Sequence, residues 1–478
     1  MAFTGTFVFS MPAVIGGAGG LVGPEFWHAG AYTTGAEAGT VIFTSNIEVD
    51  STGNVYLVSQ FDNANYGTDD DAFVITKLNA VGQFQWHKIL DGPLAGGADG
   101  ASVYSKGNNL AIDADDNLIF AQTYRDDRST TSYNTGFVTK ISPEGAIIWQ
   151  KIQDPSNTTK HTQTYAVTVD QSTNDIYVCG YTNGTGAATG SASHVVKYNS
   201  SGTQQWVRIF ENAAGSDTAH GIKLDTNGDV LVSGKWDGSY GGFVAKLSKS
   251  TGAITWSKSV GDGTNIKQIT NMAIDGDDPV MVGYNRQNAT ATTGYDFWTV
   301  KYNNAGTYQW GRLLGGTGSE NGLAIETDDS GNVYIGGFNA SDLAHTSVTQ
   351  TLLLAKYNSS GTIQWQKRIT ADNNAVNSNQ LTGIKIHNNS LFLAILSGNG
   401  IGNWAIQVMK LPLDDTLWPS TIGDWSIATS ALTEKAAATT NGSITYTNQN
   451  SGITANDGAL VISDPALAFA EESYEISI

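Results

Sequence analysis

The sequence predicts an all-β protein: a ring of seven four-stranded antiparallel sheets, with an N-terminal extension and a small C-terminal β-rich segment. Three observations predict it. First, one phrase recurs, clearest at Lys356-Tyr357-Asn358-Ser359-Ser360-Gly361-Thr362-Ile363-Gln364-Trp365-Gln366-Lys367. A lysine ends an apolar run, a Gly-containing turn follows, and a tryptophan stands two places before a base. Second, each phrase belongs to a unit of roughly fifty to sixty residues, and such a period decides an architecture before any single motif does. Third, charged residues make up only 14% of the 478 and there are 55 glycines, a composition that suits short strands and turns rather than long helices.

Residues 1–26 are Gly-rich and apolar without a period, and read as an extension ahead of a repeat region at 27–418. Within each unit, strand A is a short apolar run ending in Asp: Asp50, Asp113, Asp170, Asp225, Asp275 and Asp328, with His387 in the seventh. Strand B follows within a few residues, as in Val55-Tyr56-Leu57-Val58 and Val333-Tyr334-Ile335-Gly336. Strand C ends in the lysine, as in Phe243-Val244-Ala245-Lys246. Strand D carries the tryptophan: Trp86, Trp149, Trp206, Trp256, Trp310 and Trp365, with a worn copy at Lys410…Trp418. β-Branched and aromatic residues dominate all four runs. The A–B and C–D links are short and carry Gly or Asn, the residues that supply positive φ in hairpins. Strands A to D are therefore antiparallel neighbours in chain order. Sheets apolar on both faces must stack on one another, and a ring does so with few exposed edges. Eight in-register tryptophans, Trp27 through Trp418, bracket seven A strands. Trp418 follows a lysine and is expected on the outer strand of the seventh sheet, with Trp27 packing nearby.

The phrases Ala-Ile-x-x-Asp, Gly-Asn-Val-Tyr-x-x-Gly and Lys-Tyr-Asn-x-x-Gly-x-x-x-Trp resemble the seven-bladed β-propeller repeat family of bacterial and phage proteins, over roughly residues 40–418. The resemblance implies a fold and little about function, because propellers host many activities. Residues 419–478 leave the pattern. They are rich in Ala, Thr, Ser, Asn and Gly, with possible strands at 443–448, 459–463 and 473–478, and resemble the small polar β segments that end phage virion proteins.

Composition also narrows the partners. The formal net charge is −19, and more than half of the 25 Lys and Arg are used within the repeated phrase. Too few remain for a basic stripe, so no nucleic-acid partner is expected. An acidic surface repels anionic membranes, and no apolar run approaches a span. Cys179 lies in an apolar strand and reads as a buried hydrophobe. Met1-Ala2-Phe3-Thr4-Gly5 has no base, so a secretory signal is not expected.

No contiguous catalytic motif is present: no His-Glu-x-x-His, no Gly-x-Ser-x-Gly, no P-loop. Asp boxes fail because the required position holds Ala80, Pro143, Ser200, Ser250, Asn304 and Ser359. The Trp-x-Lys/Arg pair reads as packing between blades, its base pairing with the strand-A Asp or lying on an aromatic ring. Acid clusters at Asp69-Asp70-Asp71, Asp113-Ala114-Asp115-Asp116 and Asp275-Gly276-Asp277-Asp278 are either calcium ligands or turn residues; no cofactor is otherwise expected. The B–C and D–A loops are long and differ between units, and they emerge on one face of the disc, where binding normally sits. Phe61, Tyr124, Tyr181, Trp236, Tyr284 and Phe338 open the B–C loops and either line that binding face or cap strand B.

The expected protein is a non-enzymatic phage virion component of a tail or fibre, with the propeller as adhesion or scaffold head. Its partners are other virion proteins and a host-surface glycan or protein. The alternative is a secreted or cell-surface bacterial propeller that binds glycan or protein.

Overall fold

In every repeat unit strand A pairs with B, B with C and C with D, all antiparallel. The computed structural model describes residues 6–10, 27–34, 40–62, 71–91, 108–126, 133–155, 161–183, 191–211, 217–236, 241–261, 267–285, 294–341, 350–371, 378–398, 404–422, 425–436, 440–443, 447–449, 453–457, 461–463 and 470–472. Blade one comprises Thr40–Val49, Val55–Asp62, Asp71–Leu78 and Phe84–Asp91. Blade two comprises Leu110–Ile112, Leu118–Asp126, Tyr133–Ile141 and Ile147–Pro155. Blade three is built from Thr162–Val169, Ile176–Thr182, Ala192–Tyr198 and Gln204–Glu211, and blade four from Thr218–Leu224, Val230–Trp236, Gly241–Leu247 and Ile254–Gly261. Blade five holds Lys267–Asp275, Asp278–Asn285, Asp296–Tyr302 and Tyr308–Gly315; blade six holds Glu320–Thr327, Val333–Asn339, Thr351–Tyr357 and Ile363–Ala371. Successive A strands touch round the axis, that of blade seven against that of blade one, so the ring closes. This is a seven-bladed β-propeller.

Blade seven departs from expectation. Ser378–His387, Ser390–Gly398 and Trp404–Pro412 supply its strands A to C, but its fourth strand is Trp27–Thr34. Trp27 pairs with Lys410, the register that pairs Trp86 with Lys77 and Trp206 with Lys197. The expectation that Trp418 lies on the outer strand is therefore corrected. Sequence adjacency favoured Trp418, but a register is set by strand pairing and not by chain order. Thr6–Ser10 adds a further strand outside Trp27–Thr34.

The C-terminal segment adds one more strand to the outer edge of each blade. It visits blade six (Trp425–Thr429), five (Thr433–Ala436), four (Thr440–Ser443), three (Thr447–Gln449), two (Ile453–Asp457), one (Val461–Ser463) and finally seven (Ala470–Glu472). Among the described residues the only helix is the 3-10 turn Asp415–Leu417.

The core lies between blades. Apolar clusters fill each seam from blades one–two to six–seven. This follows from strand periodicity: alternate residues face opposite sides of a blade, and both sides meet a neighbour. Near the axis Asn108 Oδ1 accepts from Asn46 Nδ2 at 2.8 Å and from Asn271 Nδ2 at 3.1 Å, which ties blades one, two and five.

Candidate functional site

The repeated phrase builds one face of the disc, where the A–B and C–D turns lie. The strand-A Asp caps its own turn: Asp50 Oδ1 accepts from the amides of Thr52 and Asn54 at 3.0 and 2.8 Å. The same aspartate pairs with the strand-C lysine, closely in Lys140–Asp113 (2.7 Å) and Lys246–Asp225 (2.6 Å) and loosely in Lys77–Asp50 (3.9 Å). Lys197 pairs with Asp175 instead. The tryptophan indole crosses the seam and donates to a carbonyl in the next blade's C–D turn. Trp86 reaches Pro143 and Trp149 reaches Ser200, each at 3.1 Å. Trp206 reaches Lys249, Trp256 reaches Asn304 and Trp310 reaches Ser359 at 3.0–3.1 Å. The turn glycine of that next blade lies against the same indole. A Cβ on Gly202, whose φ is +80°, would stand 2.9 Å from the Trp149 ring.

In three copies the base two places after the tryptophan has a partner other than the strand-A aspartate. It lies over its own indole, as Arg208 over Trp206, Arg312 over Trp310 and Lys367 over Trp365. A groove of about 520 Å³ opens at the blade five–six copy of this junction, lined by Lys301, Tyr308, Trp310, Arg312 and Ser360 among others. At the last junction blade seven has no C–D hairpin, and Trp418 fills the space: its ring meets Trp365 edge-on at 5.2 Å.

The acid clusters belong to this face too. Asp116 accepts from the Ser51 amide and hydroxyl, Asp115 from Asn174, and Asp277 from the Thr226 amide at 2.7 Å. Each of these bonds joins neighbouring A–B turns, and Asp275 and Asp278 both face Lys301. Asp69 and Asp70 lie outside the described residues, as does the side chain of Asp71. Among the described residues no group of three His, Cys, Asp or Glu is placed to hold a metal ion.

The opposite face carries the B–C and D–A loops, most of which lie outside the described residues. The six candidate aromatics do not occupy one position. Counting from the strand-B residue paired with the strand-C lysine, Tyr181, Tyr284 and Phe338 stand four places on. Phe61, Tyr124 and Trp236 stand five places on. B–C pairing is uninterrupted in all six blades, so the two sets point to opposite sides of their blades. They therefore do not repeat one position around the loop face. The side chains of Phe61 and Tyr124 lie outside the described residues; the other four are half-buried.

Opposite orientation on adjacent blades brings two of them to one seam. Tyr177, four places before Tyr181, packs in the cluster between blades three and four, and Trp236 packs on that cluster from blade four. Tyr181 meets Tyr165 at 5.8 Å, and Tyr165 meets His220 edge-on at 5.5 Å. Tyr165 donates to Gln163 Oε1 at 2.7 Å. His220 Nδ1 lies 2.7 Å from the Ile269 carbonyl and so carries the proton; Nε2 then accepts from the Thr218 hydroxyl at 2.9 Å. The loop-facing mouth of this seam combines aromatic faces with hydroxyl, amide and imidazole groups. Two seams on, Tyr284 packs on Tyr295 at 4.9 Å and bonds Gln268.

Tyr165 and His220 were not singled out in the sequence, and both occupy the same structural feature. Strand A carries an extra residue opposite strand B: Tyr165 in blade three, His220 in four, Thr270 in five. A bulge re-aims its side chain and leaves a neighbouring carbonyl unpaired in the ladder. The next blade's bulge carbonyl takes the bond, from His220 to Ile269 and from Thr270 to Gly322. The Gly that closes Tyr-x-x-Gly in strand B is the signal that was available. A Cβ on Gly180 would stand 1.8 Å from the Gln163 carbonyl, so only glycine fits beside the bulge.

Residues 156–186, the start of blade three, match the family described as Beta-propeller repeat. No curated protein matches the sequence. Among solved structures, the propeller is similar to the polysaccharide lyase Uly1, at 12% identity and a TM-score of 0.47, covering 80% of this chain and 92% of that one. It is also similar to xylan beta-1,4-xylosidase from Bacillus Halodurans C-125, at 8% identity and a TM-score of 0.23, covering 89% and 98%. Both are enzymes, and the expectation that this chain is not an enzyme is corrected on that finding. A propeller site assembles from loops of several blades, so a missing contiguous motif excludes nothing. Neither likeness carries a substrate or a reaction over to this chain.

Proposed function

We propose that the chain is a recognition head that binds a surface glycan or protein through its loop face, as an adhesion or scaffold component of a phage tail or fibre. The observation that carries this reading is the segregation of the two faces. One face is occupied by a network repeated blade after blade, in which Asp, Lys, Trp and Gly are all engaged. The other is where the units differ, and it holds the half-buried aromatics Tyr181 and Trp236 at one seam. Aromatic faces beside hydroxyl and amide groups stack on and hydrogen-bond to sugar rings or clamp a protein side chain. The low lysine content, single cysteine and polar C-terminal strands support placing the head on a particle.

A glycan array and a bacterial-cell binding assay on the full chain test it. Binding is expected to fall about tenfold or more on Tyr181→Ala or Trp236→Ala, with the melting temperature little changed. Binding and stability both unchanged in the two variants would remove the loop-face seam as the site.

A further inference from the structure

The C-terminal belt is held unevenly. Its proximal part has apolar anchors: Ile422 and Trp425 are buried between blades six and seven, and Leu432 between five and six. Trp425 Nε1 donates to Gln407 at 2.7 Å, and Glu434 pairs with Arg312 at 3.0 Å. The distal part is different. Thr440–Ser443, Thr447–Gln449, Ile453–Asp457 and Val461–Ser463 are strands of three to five residues on the edges of blades four, three, two and one. Most of their residues are polar or small, and each is joined to the next by three residues. Short, polar, glycine-containing strands specify register weakly and are prone to exchange.

We propose that residues 440–463 exchange between copies of this chain, so that the distal belt of one copy pairs with blades four to one of another. The edges that take this belt are identical on every copy, and so are the residues that fill them. Contact energies in cis and in trans are then the same, and effective concentration alone favours the intramolecular arrangement. A copy whose distal belt has left presents four unpaired edges, which are templates for an added strand. The occupant that fits them in register is the one already seen there, the Thr440 strand on the Ile254–Gly261 strand and its successors. The proximal anchors, up to Ala436, stay in place, and the exchange begins with the Thr440 strand.

Ser259 and Gly442 are backbone partners across the blade-four edge. Two full-length single variants, Ser259→Cys and Gly442→Cys, are mixed, unfolded together, refolded and mildly oxidised. A disulfide between them forms only if the tail of one copy lies on blade four of another. Cys179 is buried, which pushes its thiol far above the ordinary range and keeps it unreactive. The heterodimer is expected about tenfold above a control mix of Gly442→Cys with Ser330→Cys, and its yield rises with protein concentration. The partner pair Lys258→Cys and Ser443→Cys repeats the test should Gly442→Cys not refold. Cross-linking at the control level in both pairs, while the corresponding double variants close within single chains, would overturn the proposal.

Discussion

Buried His194 sets a pH dependence that belongs to one residue. Burial pushes its pKa down to about 4, so the folded protein holds it neutral. The unfolded chain protonates it near pH 6.5, so its share of stability is complete above that value and is lost as pH falls towards 4. The loss is on the order of 3 kcal/mol. Thermal melts from pH 7.5 to 4 should show a falling melting temperature, and His194→Gln, which keeps an amide facing Gln153, should flatten that part of the curve. Trp206 offers a second test. Trp206→Phe keeps an aromatic ring but removes the donor to Lys249 and part of the indole's packing in the seam, for a cost of about 1–2 kcal/mol. Gly180→Ala sets a Cβ against the Gln163 carbonyl and should cost more than about 2 kcal/mol, although it adds a single methyl. Urea titrations that rank the two variants in the reverse order would count against this reading of the bulge. These contrasts also explain what could be read in advance. Trp206 announced itself by repetition, and its partner across the seam did not, because a periodic sequence does not say which neighbour a side chain meets. His194 carried no signal at all, since its burial comes from blades packed on both sides.

At the scale of elements, blade seven shows what happens when one part of the phrase is missing. Blade five turns from A to B through Gly276 and Asp277, with Asp275 opposite Asp278 and Lys301 two pairs further on. Blade seven turns through Asn388 and Asn389, with His387 opposite Ser390 and Lys410 in the same relative register. Asp275 meets Lys301 at 2.5 Å, whereas Lys410 lies over the Phe392 ring with no carboxylate paired to it among the described residues, and burial holds its pKa below the ordinary lysine value. His387→Asp should supply the missing carboxylate and raise stability by about 1–2 kcal/mol. A double-mutant cycle with Lys410→Met checks the cause, because the gain should vanish when the ammonium is absent. Strands A to C of every blade, and D of the first six, were legible because each is an apolar run closed by a short turn. The closing strand Trp27–Thr34 was half legible. Its tryptophan stood in register, but its partner lies at the other end of the chain. The belt was legible only as a β-rich segment: Val461–Ser463 falls inside the expected 459–463, but the blade-by-blade placement was not readable, since three to five mostly polar residues look like loop until an edge pairs with them.

Across the whole molecule, the two ends of the chain close the ring in different ways, and their removal should have unequal effects. Trp27–Thr34 is the fourth strand of blade seven and covers the edge of Trp404–Pro412. Deleting residues 1–34 leaves a three-stranded blade with a bare central edge, which is a template for association with another chain. It also removes a strand from the blade whose A strand meets blade one, so the loss falls on the step that closes the circle. Deleting residues 437–478 is a milder change. Every blade keeps four strands, and Trp425 and Leu432 still fill the seams beside blade six. The first deletion should lower the melting temperature by about 10 °C or more and bring aggregation on heating. The second should lower it by only a few degrees, because short polar edge strands contribute little buried apolar area. Calorimetry with light scattering on both deletions separates the two roles. Equal losses would mean that the belt, rather than the Trp27 strand, holds the ring shut.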